Sequence, residues 1–509
     1  MITVGATRVG STGIFPVVDR TSTPKRDDLD VAVNLEDANV WDRRIAQFWD
    51  SNVMPTLLEY IRIPNVSPAY APDWAETGHM AAAAGLLRDW CEEMLPPGSD
   101  LELVQLPGLT PVLLAAVPGT PGCENLGPTL LYGHMDKQPE MTGWREGLGP
   151  WEPVIEGDRL YGRGGADDGY STFSAVAALR LLGEAGVPHP PCIILIEASE
   201  ESGSSHLPRY IEHLGARIGA PALVVALDSG CADYERLWVT TSLRGLIQVD
   251  LKVSMLEVGI HSGASGAVPS TFRILRRLLD RIEDAETGEI RLPELQAEVP
   301  AERREQIEAL CAELGPMASR YPLIPGARPA SDDPVERIIA STWRPALSVT
   351  GLGGAPPLAA AGNVLRPFTA AKLSIRLPPT TDAAVAATAV RRALESDPPY
   401  GARVEVRVEG AEDGWNAPTE PAWLSEALDS ASLSAFGRRS GREGTGGSIP
   451  FVGSLARRFP HAAFLVTGVL GPGANAHGPN EFLHLPTARR VTACVGAVLA
   501  AQASALSSG

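Results

Sequence analysis

Four short apolar runs each lead into a residue able to bind a metal: Leu130-Leu131-Tyr132-Gly133 before His134, Cys192 to Ile196 before Glu200-Glu201, Ala222 to Leu227 before Asp228, and Ala462 to Val466 ahead of His477. In open α/β sheets ligands gather in the crevice beyond the carboxyl ends of the strands, so these side chains are candidates for one convergent site. Imidazoles and carboxylates without thiolates are the donors of a hydrolytic metal centre, because structural zinc sites are closed and commonly rich in Cys.

Each piece is weak by itself. A His-x-Asp such as His134 and Asp136 is commonly just a polar strand end. A metal-bound His, however, gives its second ring N–H to a carboxylate or carbonyl, which would make Asp136 the group that orients His134. Asp167-Asp168 opens an apolar helical stretch, where an acidic pair can serve simply as a cap. The preceding Gly162-Arg163-Gly164-Gly165-Ala166 allows a close backbone approach that no cap needs, and one carboxylate there could bridge two cations. Glu200-Glu201 in isolation reads as solvated charge. At a strand end, adjacent acids can instead divide labour, one binding metal while the other acts as general base on water. Asp228 is an ordinary strand-end acid unless other ligands meet it, and His477 lies in the turn-rich loop Gly471 to Glu481. Together His134, Asp167, Glu201, Asp228 and His477 suit two zinc ions that share a carboxylate and leave a position open for water.

The elements that must position these residues follow from periodicity. Helical spacing of apolar residues over Asn39 to Tyr60 and Met80 to Leu95 predicts helices packed on a sheet. Strand-like runs at Glu102 to Leu106, Val112 to Val117, Thr129 to Gly133, Cys192 to Ala198 and Ala222 to Leu227 alternate with helical stretches at Tyr170 to Glu184 and Ser204 to Leu214. That alternation is an α/β sheet covered on both faces. After Asp228 the character changes to half-exposed alternating strands at Arg244 to Ser254, Ala346 to Gly351, Ala371 to Leu377 and Arg403 to Glu409, with helices at Pro269 to Glu283 and Asp382 to Glu395. This predicts a small α+β sandwich inserted into the larger unit, elaborated by the charged, Pro-rich segment Asp284 to Trp343. The α/β pattern resumes with a helix at Ala422 to Phe436, a strand at Ala462 to Thr467 and a closing helix at Thr487 to Ala503.

Composition narrows the alternatives. The 509 residues exceed the roughly 250–300 at which one core stops growing, so two domains are expected. A formal charge of −18 repels phosphate backbones and anionic bilayers, which argues against nucleic acid and membrane partners. Six scattered cysteines form no Cys-x-x-Cys spacing and fit a reducing compartment. Met1 to Asp30 lacks the basic start and apolar core of a secretory signal, and no apolar run approaches the ~20 residues of a membrane span, so a cytoplasmic protein with a loose N-terminal extension is expected.

The elements Gly133-His134-Met135-Asp136, Gly162-Arg163-Gly164-Gly165-Ala166-Asp167-Asp168-Gly169, Glu200-Glu201-Ser202-Gly203-Ser204, His261-Ser262-Gly263 and Ala476-His477-Gly478-Pro479-Asn480-Glu481 resemble those of the dinuclear zinc exopeptidase family of carnosinase, cytosolic dipeptidases, glutamate carboxypeptidase and aminoacylase. Their order and spacing run from about Asn39 to the C-terminus. The resemblance implies two zinc ions per subunit, with manganese or cobalt as possible substitutes. It places His134, Asp167 and Asp228 on one ion, Glu201 and His477 on the other, Asp167 between them as a bridge, and Glu200 as general base. It also implies a cis peptide between Asp167 and Asp168. The inserted unit resembles the family's lid and dimerisation domain, in which His261 would reach into the partner's site of a homodimer beside Asn363, and Arg376 would clamp the substrate's free carboxylate. Gly447 and Ser448, in Gly446-Gly447-Ser448-Ile449-Pro450, resemble the loop that hydrogen-bonds substrate. Three departures bear on substrate preference: Leu365-Arg366-Pro367 stands where the family commonly has Ile-Pro, Thr445 stands where the dipeptidase branch often has a glutamate, and no histidine occurs between His261 and His461.

The expectation is an α/β catalytic domain of the zinc-exopeptidase type, a mixed central sheet flanked by helices over residues 31–242 and 412–509, with an α+β lid over 243–411 and an extension over 1–30. The expected activity is metallopeptidase hydrolysis of the amide bond of a dipeptide or similar small substrate. The run His134-Met135-Asp136-Lys137-Gln138-Pro139-Glu140 resembles the dipeptidase branch. The alternatives are an N-acyl-amino-acid deacylase and a noncatalytic metal-binding dimer, the latter disfavoured by Glu200, which a binding protein has no use for.

Overall fold

The computed structural model describes residues 38–315, 321 and 323–507, so the predicted N-terminal extension lies outside the described residues. Its centre is a six-stranded mixed sheet built from β1 (Asp100–Val104), β2 (Val112–Val117), β3 (Thr129–His134), β4 (Cys192–Glu197), β5 (Leu223–Ala226) and β10 (Ala463–Val466). The strand order is β1-β2-β4-β3-β5-β10, with β1, β2 and β4 joined antiparallel and β4, β3, β5 and β10 joined parallel. The four parallel strands are those that lead toward His134, Glu200-Glu201, Asp228 and His477, so the topology turns the sequence pattern into one crevice.

Successive side chains of a strand point to opposite faces, and here both faces are roofed. Leu131, Ile194, Ile196, Val225 and Leu465 pack into one core with the helices Met54–Arg62, His79–Met94, Tyr170–Ala185, Ala422–Phe436 and Leu485–Ser507. Leu130, Tyr132, Ile193, Leu195, Val224 and Phe464 pack into the other with Leu207, Tyr210 and Leu455. Strands covered on both sides read as unbroken apolar runs, which is why every residue of β3 and β4 is buried. Each such side chain contributes about 1.5–3 kcal/mol on burial, enough to fix where the strands stop.

A second, antiparallel sheet takes the order β7-β8-β6-β9 from β6 (Gly245–Ser254), β7 (Ala346–Gly353), β8 (Phe368–Leu377) and β9 (Arg403–Glu412). Burial along β6 and β8 alternates residue by residue. Ile247, Val249, Leu251 and Val253 face a separate core with Ile274, Leu278, Ala386 and Val390 of the helices Thr271–Leu279 and Ala383–Glu395. The opposite face carries Asp250–Lys372 and Lys372–Glu409 pairs at 2.9 and 3.4 Å. This is the one-face-wet architecture of an antiparallel sheet and matches the α+β lid expected from sequence.

Two small sheets, not foreseen from periodicity, matter to the site. Trp238–Leu243 lies between Trp415–Asn416 and Gly441–Thr445 and delivers the Gly446-Gly447-Ser448 loop. Arg159–Tyr161 lies between Val154–Glu156 and Phe482–His484 and anchors the chain just after Glu481. Short, Gly- and Thr-containing strands such as Gly441–Thr445 carry no apolar alternation to announce them.

The closing helix corrects one expectation. Leu485–Ser507 spans 23 residues and is long and apolar enough to cross a membrane by length and composition. In the fold it is a core helix: Val491, Val495, Val498 and Leu499 are buried, Trp49 Nε1 donates to Thr492 Oγ1 at 3.2 Å, and Gly496 lets Trp41 approach so closely that a Cβ would meet its ring. Small Ala, Gly and Thr residues between the large apolar ones break the apolar run in the sequence and permit this packing in the structure.

Candidate metal centre

The residues predicted from sequence as metal ligands meet at the carboxyl end of the central sheet. His134 ends β3 and is fully buried. Its Nε2 lies 3.3 Å from Asp167 Oδ1, 3.8 Å from Asp228 Oδ2 and 3.9 Å from Glu200 Oε2. The other oxygen of Asp167, Oδ2, lies 3.1 Å from His477 Nε2, and His477 Nε2 lies 3.3 Å from Glu201 Oε2. One carboxylate therefore faces two imidazoles, one with each oxygen. The peptide bond between Asp167 and Asp168 is cis, as the resemblance implied.

Asp136 braces the site. It is fully buried, its Oδ1 and Oδ2 accept the backbone N–H groups of Glu200 and Glu201 at 3.1 Å each, and Ser67 Oγ donates to Oδ2 at 2.6 Å. His134 Nδ1 sits 3.0 Å from the Asp136 carbonyl and 3.5 Å from Asp136 Oδ1. The backbone oxygen takes the shorter contact, so Asp136 orients the imidazole mainly through its main chain and spends its carboxylate on the Glu200-Glu201 turn.

Four contributors, Asp168, Gly133, Gln138 and Ser202, were given no role of their own from sequence. Asp168 Oδ2 accepts the backbone N–H of His134 at 3.2 Å, and His134, Asp168 and Asp228 form one buried trio able to hold a cation, as do His134, Asp167 and Glu201. Gly133 makes room for it: a side chain there would collide with Ser171 Oγ and Asp168 Oδ2. Gln138 Nε2 donates to Glu201 Oε2 at 2.7 Å, and Ser202 Oγ, 2.5 Å from Ser67 Oγ, ties the turn to the Ser67 segment. Each lies within or beside a motif quoted from the sequence, but the motif does not say which atom it will brace.

Electrostatics shows what the cluster is suited to hold. Five carboxylates, on Asp167, Asp168, Glu200, Glu201 and Asp228, crowd around the imidazoles of His134 and His477. Burial, reinforced by neighbouring carboxylates, pushes Asp168, Glu200, Glu201 and Asp228 upward. Burial would raise Asp167 too, but hydrogen bonds from both imidazoles outweigh it and hold it well below the usual carboxylate range. Against its own burial, His477 is raised to about 9 by Asp167 and Glu201, and His134 is raised by Asp228 and its other acidic neighbours. Asp168 Oδ1 and Glu201 Oε1 are buried without a hydrogen-bond partner. Buried, like-charged oxygens with spare lone pairs are costly unless a cation compensates them, so nitrogen and oxygen donors here fit divalent metal.

The predicted substrate residues divide into two groups. Arg376, on β8, donates from Nη1 to Ser448 Oγ at 2.8 Å, and the Gly447 carbonyl accepts the Arg244 N–H at 3.1 Å, so clamp and loop are joined in one chain. His261 and Asn363 lie together elsewhere. His261 pairs with Val364, the Asn363 carbonyl accepts from Ser262 N–H at 2.9 Å, and both side chains are exposed. Among the described residues His261 Nδ1 accepts from Gly263 N–H at 3.0 Å, and no hydrogen bond or ion pair links it to the metal-ligand cluster.

Comparison with known proteins agrees with this geometry. Residues 130–501 match the sequence profile of peptidase family M20/M25/M40. A cysteinylglycine-S-conjugate dipeptidase of Corynebacterium striatum is 30% identical over 370 residues, which is 69% of this chain and 76% of that protein. A Beta-Ala-His dipeptidase of Homo sapiens is 27% identical over 358 residues, 67% of this chain and 68% of that one. Among solved structures, human carnosine dipeptidase 1 superposes with a TM-score of 0.74 at 21% identity, covering 92% of this chain and 99% of its own. The dipeptidase Dug1p of Saccharomyces cerevisiae gives 0.73 at 21% identity, covering 92% and 98%. At that identity the structural likeness speaks to the fold alone, while the sequence match over most of the chain speaks to descent. The chain belongs to peptidase family M20/M25/M40 and is a metallopeptidase.

Proposed function

We propose that the protein is a dinuclear zinc dipeptidase, which hydrolyses the amide bond of a small peptide carrying a free carboxylate. The observation that carries this reading is Asp167, whose two oxygens face His134 and His477 from opposite sides at 3.3 and 3.1 Å. That is what a carboxylate shared by two cations requires. The dipeptidase names of the relatives from Corynebacterium striatum and Homo sapiens support the substrate class.

Two divalent ions, held by His134, Asp167 and Asp228 and by Asp167, Glu201 and His477, would supply the Lewis acidity that makes water nucleophilic at neutral pH and polarises the scissile carbonyl. Glu200 takes the proton from the attacking water. Its carboxyl is nearly buried and pushed upward by burial and by Asp228, and its backbone is pinned by Asp136, so the proton has a held acceptor. The same carboxyl then protonates the leaving amine. Arg376 and Ser448 hold the substrate carboxylate, and His261 of the partner subunit, beside Asn363, stabilises the oxyanion. The lid over 243–411 thus closes the site on residues 31–242 and 412–509 and makes the homodimer. Cysteines scattered without any Cys-x-x-Cys spacing support a reducing, cytoplasmic setting.

The experiment is an assay of wild type and Glu200→Gln on a panel of dipeptides and N-acyl amino acids with added zinc, manganese or cobalt. Dipeptide turnover that falls on the order of a thousandfold in the variant at unchanged metal content is expected. Turnover confined to N-acyl amino acids would make the protein a deacylase, and full activity in Glu200→Gln would remove Glu200 from the chemistry.

A further inference from the structure

Two segments carry the groups that meet at His477, and one buried ion pair joins them. Arg163 is 1% exposed and Glu481 is fully buried. Arg163 Nη1 pairs with Glu481 Oε2, and its Nη2 donates to the Gly478 carbonyl at 2.9 Å, one residue beyond His477. The opposite oxygen, Glu481 Oε1, accepts Gly164 N–H at 2.9 Å, and the Glu481 carbonyl accepts Gly162 N–H at 3.1 Å. Four bonds thus connect the glycine-rich segment that delivers Asp167 to the loop that delivers His477.

A buried ion pair is a poor means of stabilisation, because desolvation offsets much of its attraction and an apolar pair of similar volume often serves as well. What it fixes is geometry, and this loop requires that. His477 itself has φ 63°, with Asn475 at 55° and Asn480 at 61°, in the left-handed region that residues with a Cβ seldom occupy. The His477 side chain is also 55% exposed, whereas His134 is held by a fully buried strand. Packing locates the one imidazole; the other stands on a loop held by its own Gly478 N–H to Asn475 carbonyl bond at 2.9 Å and by Arg145 N–H to Asn480 Oδ1 at 2.7 Å, and the Arg163 and Glu481 bonds are what tie it to the segment bearing Asp167.

We propose that Arg163 and Glu481 form a positioning clasp that sets the His477 imidazole against Asp167 and thereby determines affinity for the cation at the His477 end, while touching neither cation nor substrate. The inference rests on the two-cation reading. Supporting groups of this kind commonly govern metal affinity by about 10–100-fold.

The test titrates the metal-free full-length chain with zinc and with cobalt, counting bound ions by mass spectrometry after dialysis and following the cobalt absorption spectrum. Wild type should bind two ions per chain. Glu481→Gln and Arg163→Lys should bind one ion as wild type does and the other about 10–100-fold more weakly, with an altered cobalt spectrum for the weakened equivalent and activity recovered at excess metal. The double variant Arg163→Met/Glu481→Leu removes both charges of the pair together, so it should keep the wild-type melting temperature to within a few degrees yet show the same selective loss. Wild-type affinity for both ions in the variants, or equal weakening of both, would overturn the clasp. A wild-type chain that binds fewer than two ions would instead remove the two-cation reading on which it stands.

Discussion

The two ends of the candidate metal centre are built by different means. His134 and Asp228 continue from β3 and β5, strands buried on both faces, and are placed by the same packing that makes the sheet. His477 stands on a Gly- and Pro-rich loop, about half exposed, and that loop is fastened to the Gly162–Gly169 segment by Arg163 and Glu481. The contrast teaches that a side chain on a buried strand takes its place from packing and needs polar partners only to orient its ring, whereas one on a loop also needs polar groups that fix the backbone carrying it. Asp167 belongs to both ends and Glu200 stands beside them.

The sharpest probe of this contrast is the pair Glu200 and Glu201, neighbours with different partners. Glu200→Gln should lower kcat on the order of a thousandfold at wild-type metal content. Glu201→Gln should lose metal from the His477 end and recover activity in excess zinc. Identical behaviour of the two variants, in metal content and in rate, would erase the division between them.

The next contrast is His134→Ala against His477→Ala, read as melting temperature of the metal-free protein. Removing the buried imidazole leaves crowded carboxylates without their nearest positive partner and should cost about 2–4 kcal/mol. His477→Ala, at an exposed loop, should stay within about 1 kcal/mol. Equal losses would show that the two ends are equally integrated in the fold.

Chelation should lower the melting temperature of wild type, because ions that bind only the folded chain stabilise it by about 2.7 kcal/mol at a hundredfold excess over Kd. Differential scanning calorimetry with and without zinc measures this, and no shift would sink the metal-dependent half of the comparison.

The smallest effect concerns protons. His477 is raised to about 9 in the ion-free site, so at pH 7 its imidazole is protonated and the cation must displace that proton. Apparent affinity at this end should therefore fall as pH drops below about 9, up to tenfold per unit for each proton released. Calorimetric titration in buffers of different ionisation enthalpy should detect the release, and a heat independent of buffer would contradict it.

Much of this was legible in the sequence for a local reason. An apolar run that ends in His, Glu or Asp announces both a buried strand and its functional end, and the runs before His134, Glu200 and Asp228 are β3, β4 and β5 with limits shifted by a residue or so. The lid strands were readable from their period of two, as β6 and β8 show. The strands Trp238–Leu243 and Gly441–Thr445 were not, because polar or glycine-rich segments acquire strand character from the neighbours that pair with them. Asp168 and Gln138 were missed because nothing about an acid or an amide in isolation tells which side chain it will brace.

By itself the sequence marked the candidate side chains, the strands that present them and, through resemblance, the family, since apolar runs and motif spacings are properties of the chain alone. Only the tertiary structure decided that Asp167 faces two imidazoles from distant segments, that Asp136 spends its carboxylate on the Glu200-Glu201 turn, that Arg376 meets Ser448, and that a buried ion pair holds the His477 loop. These are pairings across long separations in sequence, fixed to a few tenths of an ångström by packing, and no local rule of spacing can specify them.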